Sequence, residues 1–268
     1  MQGKPRLAVN EISSERMVLW HSLAGTHVVD EFSVRRLINK IDSVLSSLSY
    51  GDKKRALLLH EQAYLHAYLM KPNASIGFFS EAEAAGLPSF AKHLAAAHAM
   101  AICGELEMAR SENLSVIIDK LSADDVVVVA DSSAHLGLYK RAKDLYVLAG
   151  KTPEGFMCRA FEAADIMDDS GVSDEDIFDR LSLATAVVKR LSGHPNIAYD
   201  MFALRGEGIL YRFVVRASIE TLVEIDAAID EALSLSFDAQ ADRILSIGVM
   251  PHTDDSAKPF GRPYNVSM

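Results

Sequence analysis

The chain has 268 residues, of which 49% are hydrophobic and 7% aromatic, and its net charge is −10. This composition is typical of a folded protein with a real core, and the scarcity of aromatic residues favours close-packed helices over a β-sandwich. The acidic charge argues against binding to the nucleic-acid backbone, which needs a basic face. Neither a basic leader followed by an apolar run nor an apolar stretch long enough for a membrane span is found, so we expect an all-α, cytoplasmic protein with no membrane partner.

The N-terminal 55 residues differ in charge from the rest of the chain. They hold nine Lys and Arg against six Asp and Glu, whereas the remainder is strongly acidic. Residues 1–12 contain Pro5 and show no periodicity, so we expect them to be extended. A helix over 13–23 with Trp20 facing inward and a second helix over 29–47 are predicted from capping and helical spacing. This pair is either a structural cap or an effector segment, and its charge is either scattered on solvated faces or complementary to an acidic body.

Small residues recur about every 34 positions through the middle of the chain. The matching positions are Ala97, Ala101, Gly104 and Ala109, then Ala130, Ala134, Gly137 and Ala142, then Ala164 and Gly171. A fixed period of this length indicates a unit of secondary structure that buries its apolar face against copies of itself. The two cysteines, Cys103 and Cys158, lie in apolar helical stretches without metal-ligand spacing, and we expect both to be buried thiols.

The segment from Ala123 to Phe156 carries the strongest motif. It contains Ala130, Gly137, Tyr139, Ala142, Tyr146, Ala149 and Pro153. In these residues it resembles the tetratricopeptide repeat, a helix–turn–helix unit of about 34 residues. Residues 90–122 and 157–190 keep part of the pattern, and 56–89 keeps less, with Met70 in place of the turn glycine. The resemblance implies an α–α superhelix of four helix pairs over residues 56–190.

After residue 190 the repeat pattern ends. We expect a helix over 196–204, an amphipathic helix over 218–234 and a short helix over 239–247, which together form a divergent helical pair and a C-terminal cap for the array. The two glycines at 206 and 208 are interpreted as a turn. Three prolines between 251 and 268 predict an extended tail.

The resemblance also implies a binding surface, because the first helix of each pair in this family lines a concave groove. The residues at those positions are His60, Tyr64, Tyr68, Leu94, His98, Val127, Asp131, His135, Phe161, Asp165, Asp168 and Asp169. Such a groove runs from His and Tyr to Asp, which suits a peptide that carries Lys or Arg beside an apolar anchor. The alternative is that the acidic residues only keep an exposed helix face soluble.

Signatures of catalysis are absent from the sequence: it has no phosphate-binding loop, nucleophile elbow, zincin helix or dinucleotide-binding glycine run. We therefore expect a protein- or peptide-binding scaffold, with no catalytic residues, metal or cofactor. Two alternatives stay open. The first is a signalling or transcription-linked peptide sensor with residues 1–55 as effector. The second is a small metal protein or enzyme that uses His98, Asp131 and His135.

Overall fold

The computed structural model describes residues 5–49, 52–193, 198–237 and 239–253. It is mostly helical, with one small sheet. The helices are α1 (Pro5–Thr26), α2 (Glu31–Ser47), α3 (Lys54–Tyr68), α4 (Pro72–Ala84), α5 (Ser89–Ile102), α6 (Leu106–Leu114), α7 (Ala123–His135), α8 (Tyr139–Leu148), α9 (Phe156–Ser170), α10 (Asp174–Ser192), α11 (Ile219–Ser236) and α12 (Ala239–Asp242). The strands are β1 (Tyr199–Leu204), β2 (Gly208–Val215) and β3 (Leu245–Pro251).

The N-terminal helix is longer than the sequence pattern predicts. It begins at Pro5, so the expectation of an extended segment over 5–12 is wrong. Proline fits the first turn of a helix because the N–H that it lacks has no partner there in any case. Trp20 is buried, as predicted, and α2 begins after Asp30, whose carboxylate accepts a hydrogen bond from the N–H of Ser33 at 3.0 Å.

The helix pairs of the array turn through left-handed backbone positions. Gly104, Gly137 and Gly171 lie between α5 and α6, α7 and α8, and α9 and α10, with φ of 68°, 79° and 68°. These are the turns in which the sequence pattern places them. Met70, between α3 and α4, has the same conformation with φ of 56°. The turn geometry of the first pair is thus kept although its glycine is missing, and an L-residue is unfavourable at such a φ.

The fourth pair departs from the predicted stacking, because α10 packs against α6, α8 and α11 and crosses the turns of the second and third pairs. A Cβ on Gly137 would lie 2.5 Å from Cδ1 of Leu181, and one on Gly104 would lie 3.2 Å from Cδ of Lys189. The Asp174 carboxylate accepts two backbone hydrogen bonds from the first turn of α8, both at 2.9 Å. The two glycines therefore allow both the turn and the close approach of α10.

The C-terminal region contains a sheet where the sequence pattern predicts helices. Residues 199–204 form β1 instead of a helix, and the predicted helix over 239–247 is reduced to the single turn of α12, followed by β3. β1 pairs antiparallel with β2, and β2 pairs parallel with β3. The chain connects β2 to β3 through α11 and α12. The turn at Gly206 and Gly208 is confirmed, with φ of 87° and 101°. Short apolar runs do not distinguish a strand from a helix, whereas β2 is rich in the residues that favour strands.

The sheet packs against α9, and α11 packs against β3 and α10. The alternate residues Tyr199, Met201 and Ala203 of β1 are buried, while Phe202 and Leu204 are exposed. The expected tail over 251–268 is described only to residue 253, and its remaining residues lie outside the described ranges. No helix among the described residues combines the length and the apolar character needed to cross a bilayer.

Candidate functional site

The part of the predicted groove that α3 and α5 form is filled by α1. The Trp20 ring stacks on Tyr68 with centroids 5.9 Å apart and meets His98 edge-on at 5.4 Å. The Arg16 guanidinium lies over the Tyr64 ring, 4.8 Å from its centroid. The buried residues of α1, namely Val9, Ile12, Arg16, Trp20, Leu23 and Ala24, follow helical spacing and form one stripe.

A buried ion pair anchors this contact. Arg16, whose side chain is 0% exposed, donates from Nε to Glu61 Oε2 and from Nη1 to the Tyr68 hydroxyl at 3.3 Å. Ser13 Oγ donates to the second oxygen of Glu61 at 3.2 Å. Burial alone would raise the pKa of Glu61, but the charge of Arg16 and contacts with Arg16 and His60 lower it to about 2. Both members of the pair are therefore ionised inside the core at neutral pH.

Four of the predicted groove residues are core residues in this structure. His60, Tyr64, Tyr68 and Leu94 are buried, so they do not form an open contact surface in this structure, and their part in binding stays a prediction. Arg16 and Trp20 of α1 cover Tyr64 and Tyr68, whereas the His60 ring packs on Phe79 of α4. His98 is half-buried, with its ring 5.9 Å from Tyr64.

His135 lies where the sheet meets α7. Its Nδ1 is 2.6 Å from the Tyr199 hydroxyl of β1, and its ring stacks on Phe156 at 4.9 Å with an interplanar angle of 6°. Burial, together with the nearby His98, lowers the pKa of His135 to about 4. The imidazole is therefore neutral at pH 7 and joins α7 to the sheet.

The acidic end of the predicted groove is neutralised by cations of the same chain. Lys143 of α8 pairs with Asp165, and Lys140 pairs with Asp168 at 2.7 Å. Arg205, in the turn between β1 and β2, has Nε 3.4 Å from Asp169. Since all three carboxylates have basic partners, they offer a peptide less attraction than the sequence pattern suggests.

A cleft remains open beside α7. It encloses about 290 Å³ and is lined by Asp124, Val127, Tyr146, Lys151, Thr152 and Glu154. Asp124, Val127 and Asp131 share one face of α7, because their spacing is three and four residues. Phe161 of α9, half-buried like Val127, contacts the Tyr146 ring edge-on at 5.9 Å. Of the predicted groove residues, Val127 lines the cleft, Phe161 contacts Tyr146 of its lining, and Asp131 lies one turn from Val127 on the same face of α7.

Asp131 differs from the other carboxylates of the predicted groove. It is half-buried and has no hydrogen-bond or ion-pair partner among the described residues. Burial raises its pKa to about 6. Burial, and after it the negative charge of Asp131, raises the pKa of Tyr146. Lys151, the cation that lines the cleft, is paired with Asp124 at 2.9 Å.

The metal alternative finds no support in the geometry. Within the described ranges no group of three or more His, Cys, Asp or Glu residues is arranged to hold a metal ion. His98 and His135 approach each other, but His135 uses Nδ1 on Tyr199. Cys103 is buried as predicted, whereas Cys158 is exposed and donates to the Pro153 carbonyl at 3.3 Å, so its prediction as a buried thiol is wrong.

Two functional features were missed at the level of sequence. The stripe on α1 is visible in the sequence as helical spacing that continues N-terminal to Trp20, but Pro5 obscures it. Lys151 and Thr152 line the cleft from a loop, and no local pattern points to them. Comparison with protein-family models, with curated proteins and with solved structures found no match to this chain.

Proposed function

We propose that this protein is a helical-repeat scaffold that binds a peptide or partner protein in the cleft beside α7. The single observation that carries the proposal is Asp131, a half-buried carboxylate without a partner among the described residues, next to an open cleft. Partial burial disfavours the ionised form of this carboxylate, and no basic side chain among the described residues compensates its charge. A cationic group of a ligand would supply that compensation.

The chemistry of the cleft defines the ligand. Val127 and Tyr146 offer apolar and aromatic surface. Asp131 offers a negative charge one turn further along α7 from Val127. A volume of about 290 Å³ lies at the small end of ligand pockets, which typically measure about 300–1,000 Å³. It suits one or two side chains of a peptide better than a whole cofactor. We therefore propose a peptide segment with Lys or Arg beside an apolar residue.

The resemblance to tetratricopeptide repeats supports this reading, since stacked helical pairs present side chains of their first helices to a partner. Val127, Asp131 and Phe161 lie on first helices of that kind. The burial of α1 supports a structural role for residues 5–26 rather than a detached effector, so the sensor alternative gains no support from the contacts of this helix.

A selection from a random peptide library against the purified chain tests the proposal. We expect enriched peptides to carry Lys or Arg next to an apolar residue. Affinity for one such peptide, measured by fluorescence anisotropy, should fall about tenfold in Asp131→Asn, since a hydrogen bond between charged groups contributes about 1.5–3 kcal/mol.

Asp169→Asn is the matched control, because that carboxylate is exposed and paired with Arg205. It should leave affinity within about twofold, as expected for a surface charge. Equal binding by Asp131→Asn and the unmodified chain, or selected peptides without basic residues, would show that the cleft is not the binding site.

A further inference from the structure

The contact between α1 and the array has features that stability does not explain. Arg16 and Glu61 form an ion pair that is removed from water, and apolar residues of similar size at such positions often give equal or greater stability. A charged pair in this place specifies which helix fits and in which register. The inner face of α3 and α5 therefore selects a helix that carries a matching charge, whereas a purely apolar face would accept any apolar helix.

The connection after α1 is short. The N–H of His27 donates to the Leu23 carbonyl at 2.8 Å, and His27 has φ of 52°, the left-handed conformation in which many helices end. Asp30, the N-cap of α2, follows three residues later. Because this short connection tethers α1, a partner helix must compete with it at a high effective concentration.

The recognition surface can be read from the contacts of α1. Glu61 receives the guanidinium of Arg16, Tyr64 lies beneath that group, and Tyr68 with His98 forms the walls around the Trp20 indole. Arg16 and Trp20 are four residues apart and therefore lie on one face of the helix. A helix that presents an arginine one turn before an aromatic residue, with apolar residues on either side, satisfies all of these contacts.

We propose that the inner face of α3 and α5 is a helix-binding groove, that α1 occupies it as a resident ligand, and that a partner protein competes through an amphipathic helix with an arginine four residues before an aromatic. This site is separate from the cleft at Asp131. Helix-in-groove binding of this kind uses anchors at helical spacing.

The test uses the full chain and a labelled synthetic peptide of residues 5–26. In the unmodified chain the peptide competes with the tethered α1 and binds weakly. Arg16→Gln in the chain weakens the resident helix, so the peptide should bind at least about tenfold more tightly. Adding Glu61→Gln to that variant should remove the gain, and a peptide with Gln in place of its arginine should bind poorly to every variant.

Trp20, the only tryptophan of the chain, provides a second measurement. Its emission should shift to longer wavelength when a tryptophan-free version of the peptide, with Phe at that position, displaces α1 in a chain that keeps Arg16. If Arg16→Gln does not fold, Trp20→Leu serves as the weakened variant, read by anisotropy alone.

Three results would overturn the proposal: no peptide binding by a folded weakened variant, binding that is indifferent to Glu61, or an unchanged Trp20 emission at saturating peptide. Asp131→Asn should leave peptide binding unchanged, so failure of this groove and failure of the cleft at Asp131 are distinguishable.

Discussion

Replacing Gly137 with alanine tests whether α10 packs directly on the turn between α7 and α8. Gly137 has φ of 79°, and a new Cβ would lie 2.5 Å from Cδ1 of Leu181 and 3.4 Å from Cγ2 of Ile177. Gly171 is the matched control. Its φ is 68°, and no atom lies within 4 Å of a Cβ built there. Both substitutions place an L-residue at a positive φ, and only Gly137→Ala also overfills the contact with α10.

The expected magnitudes follow from these two contributions. A left-handed conformation costs an L-residue about 1–2 kcal/mol, and reduced freedom of the unfolded chain returns about 0.4–1 kcal/mol, so Gly171→Ala should lower the free energy of unfolding by about 1 kcal/mol. Overpacking a core contact adds about 1–3 kcal/mol, because the buried Leu181 side chain must move. We therefore expect about 2–4 kcal/mol for Gly137→Ala.

Urea denaturation followed by far-UV circular dichroism and by Trp20 emission measures both changes. Coincident transitions and an unchanged dependence on urea are required for the comparison. Gly104→Ala, with its nearest neighbour at the flexible Cδ of Lys189, should fall between the other two variants. If Gly171→Ala were as destabilising as Gly137→Ala, the close packing of α10 on the turn between α7 and α8 would be refuted.

The remaining predictions concern the first turn, the buried ion pair and the two shifted pKa values. Met70→Gly should raise the free energy of unfolding by about 0.5–1 kcal/mol, because it relieves the left-handed conformation of an L-residue. Arg16→Met and Glu61→Leu should each cost about 3–5 kcal/mol, while the double variant should lie close to the unmodified chain, as a double-mutant cycle would show. The pKa of Asp131 is raised to about 6, so the fold favours the protonated carboxyl group and loses stability as the pH rises from 4 to 6. Asp131→Asn should therefore be more stable than the unmodified chain at pH 7.5, by about 1 kcal/mol after allowance for solvent screening. This gain in stability should vanish below pH 4. The pKa of His135 is lowered to about 4, so the contribution of its neutral imidazole to stability is present above pH 6.5 and is lost as the pH falls to 4. His135→Gln should be less stable than the unmodified chain at pH 7.5. The free energy of unfolding of this variant should also change less between pH 6.5 and pH 4.

Each of these expectations has an opposite outcome that chemical denaturation would reveal. Destabilisation by Met70→Gly would mean that the packing of the methionine outweighs its backbone strain. Additive effects of Arg16→Met and Glu61→Leu on the free energy of unfolding would contradict an energetic coupling between the two side chains. Lower stability of Asp131→Asn at pH 7.5 would mean that the carboxylate has a favourable contact in the fold, and an unaltered pH profile of His135→Gln would remove the assigned role of that imidazole.

The helix pairs in the middle of the chain were predictable where local signals agree. Gly137 with its flanking alanines marks the third pair, and the capping box of Ser173 and Asp176 lies at the start of α10. The path of α10 was not predictable. A capping sequence fixes where a helix begins, but its direction depends on contacts with Gly104 and Gly137, which lie far away in the sequence.

The candidate site was predictable only in part. The resemblance to the tetratricopeptide repeat implies the groove positions of each first helix, and it identified Val127 and Asp131 together on α7. The partners of a carboxylate come from other layers of the structure, and the pairing of Asp165 with Lys143 across α8 and α9 has no local pattern. The burial of Tyr64 depends on α1, which in turn depends on whether Pro5 starts a helix or interrupts one.

The last turn of α1 is completed by residues from the other end of the described chain. Arg216 donates to the Thr26 carbonyl at 2.6 Å, and His252 Nε2 lies 3.1 Å from the Gly25 carbonyl, at sequence separations of 190 and 227 residues. Carbonyls at a helix C-terminus need such donors from outside the helix. During synthesis the Thr26 carbonyl must wait for its partner until residue 216 has left the ribosome, and the Gly25 carbonyl must wait until residue 252 has done so. Completion of the last turn of α1 is therefore expected to be among the latest events of folding, and in a ribosome-stalled chain that lacks β3 this turn should be more sensitive to protease.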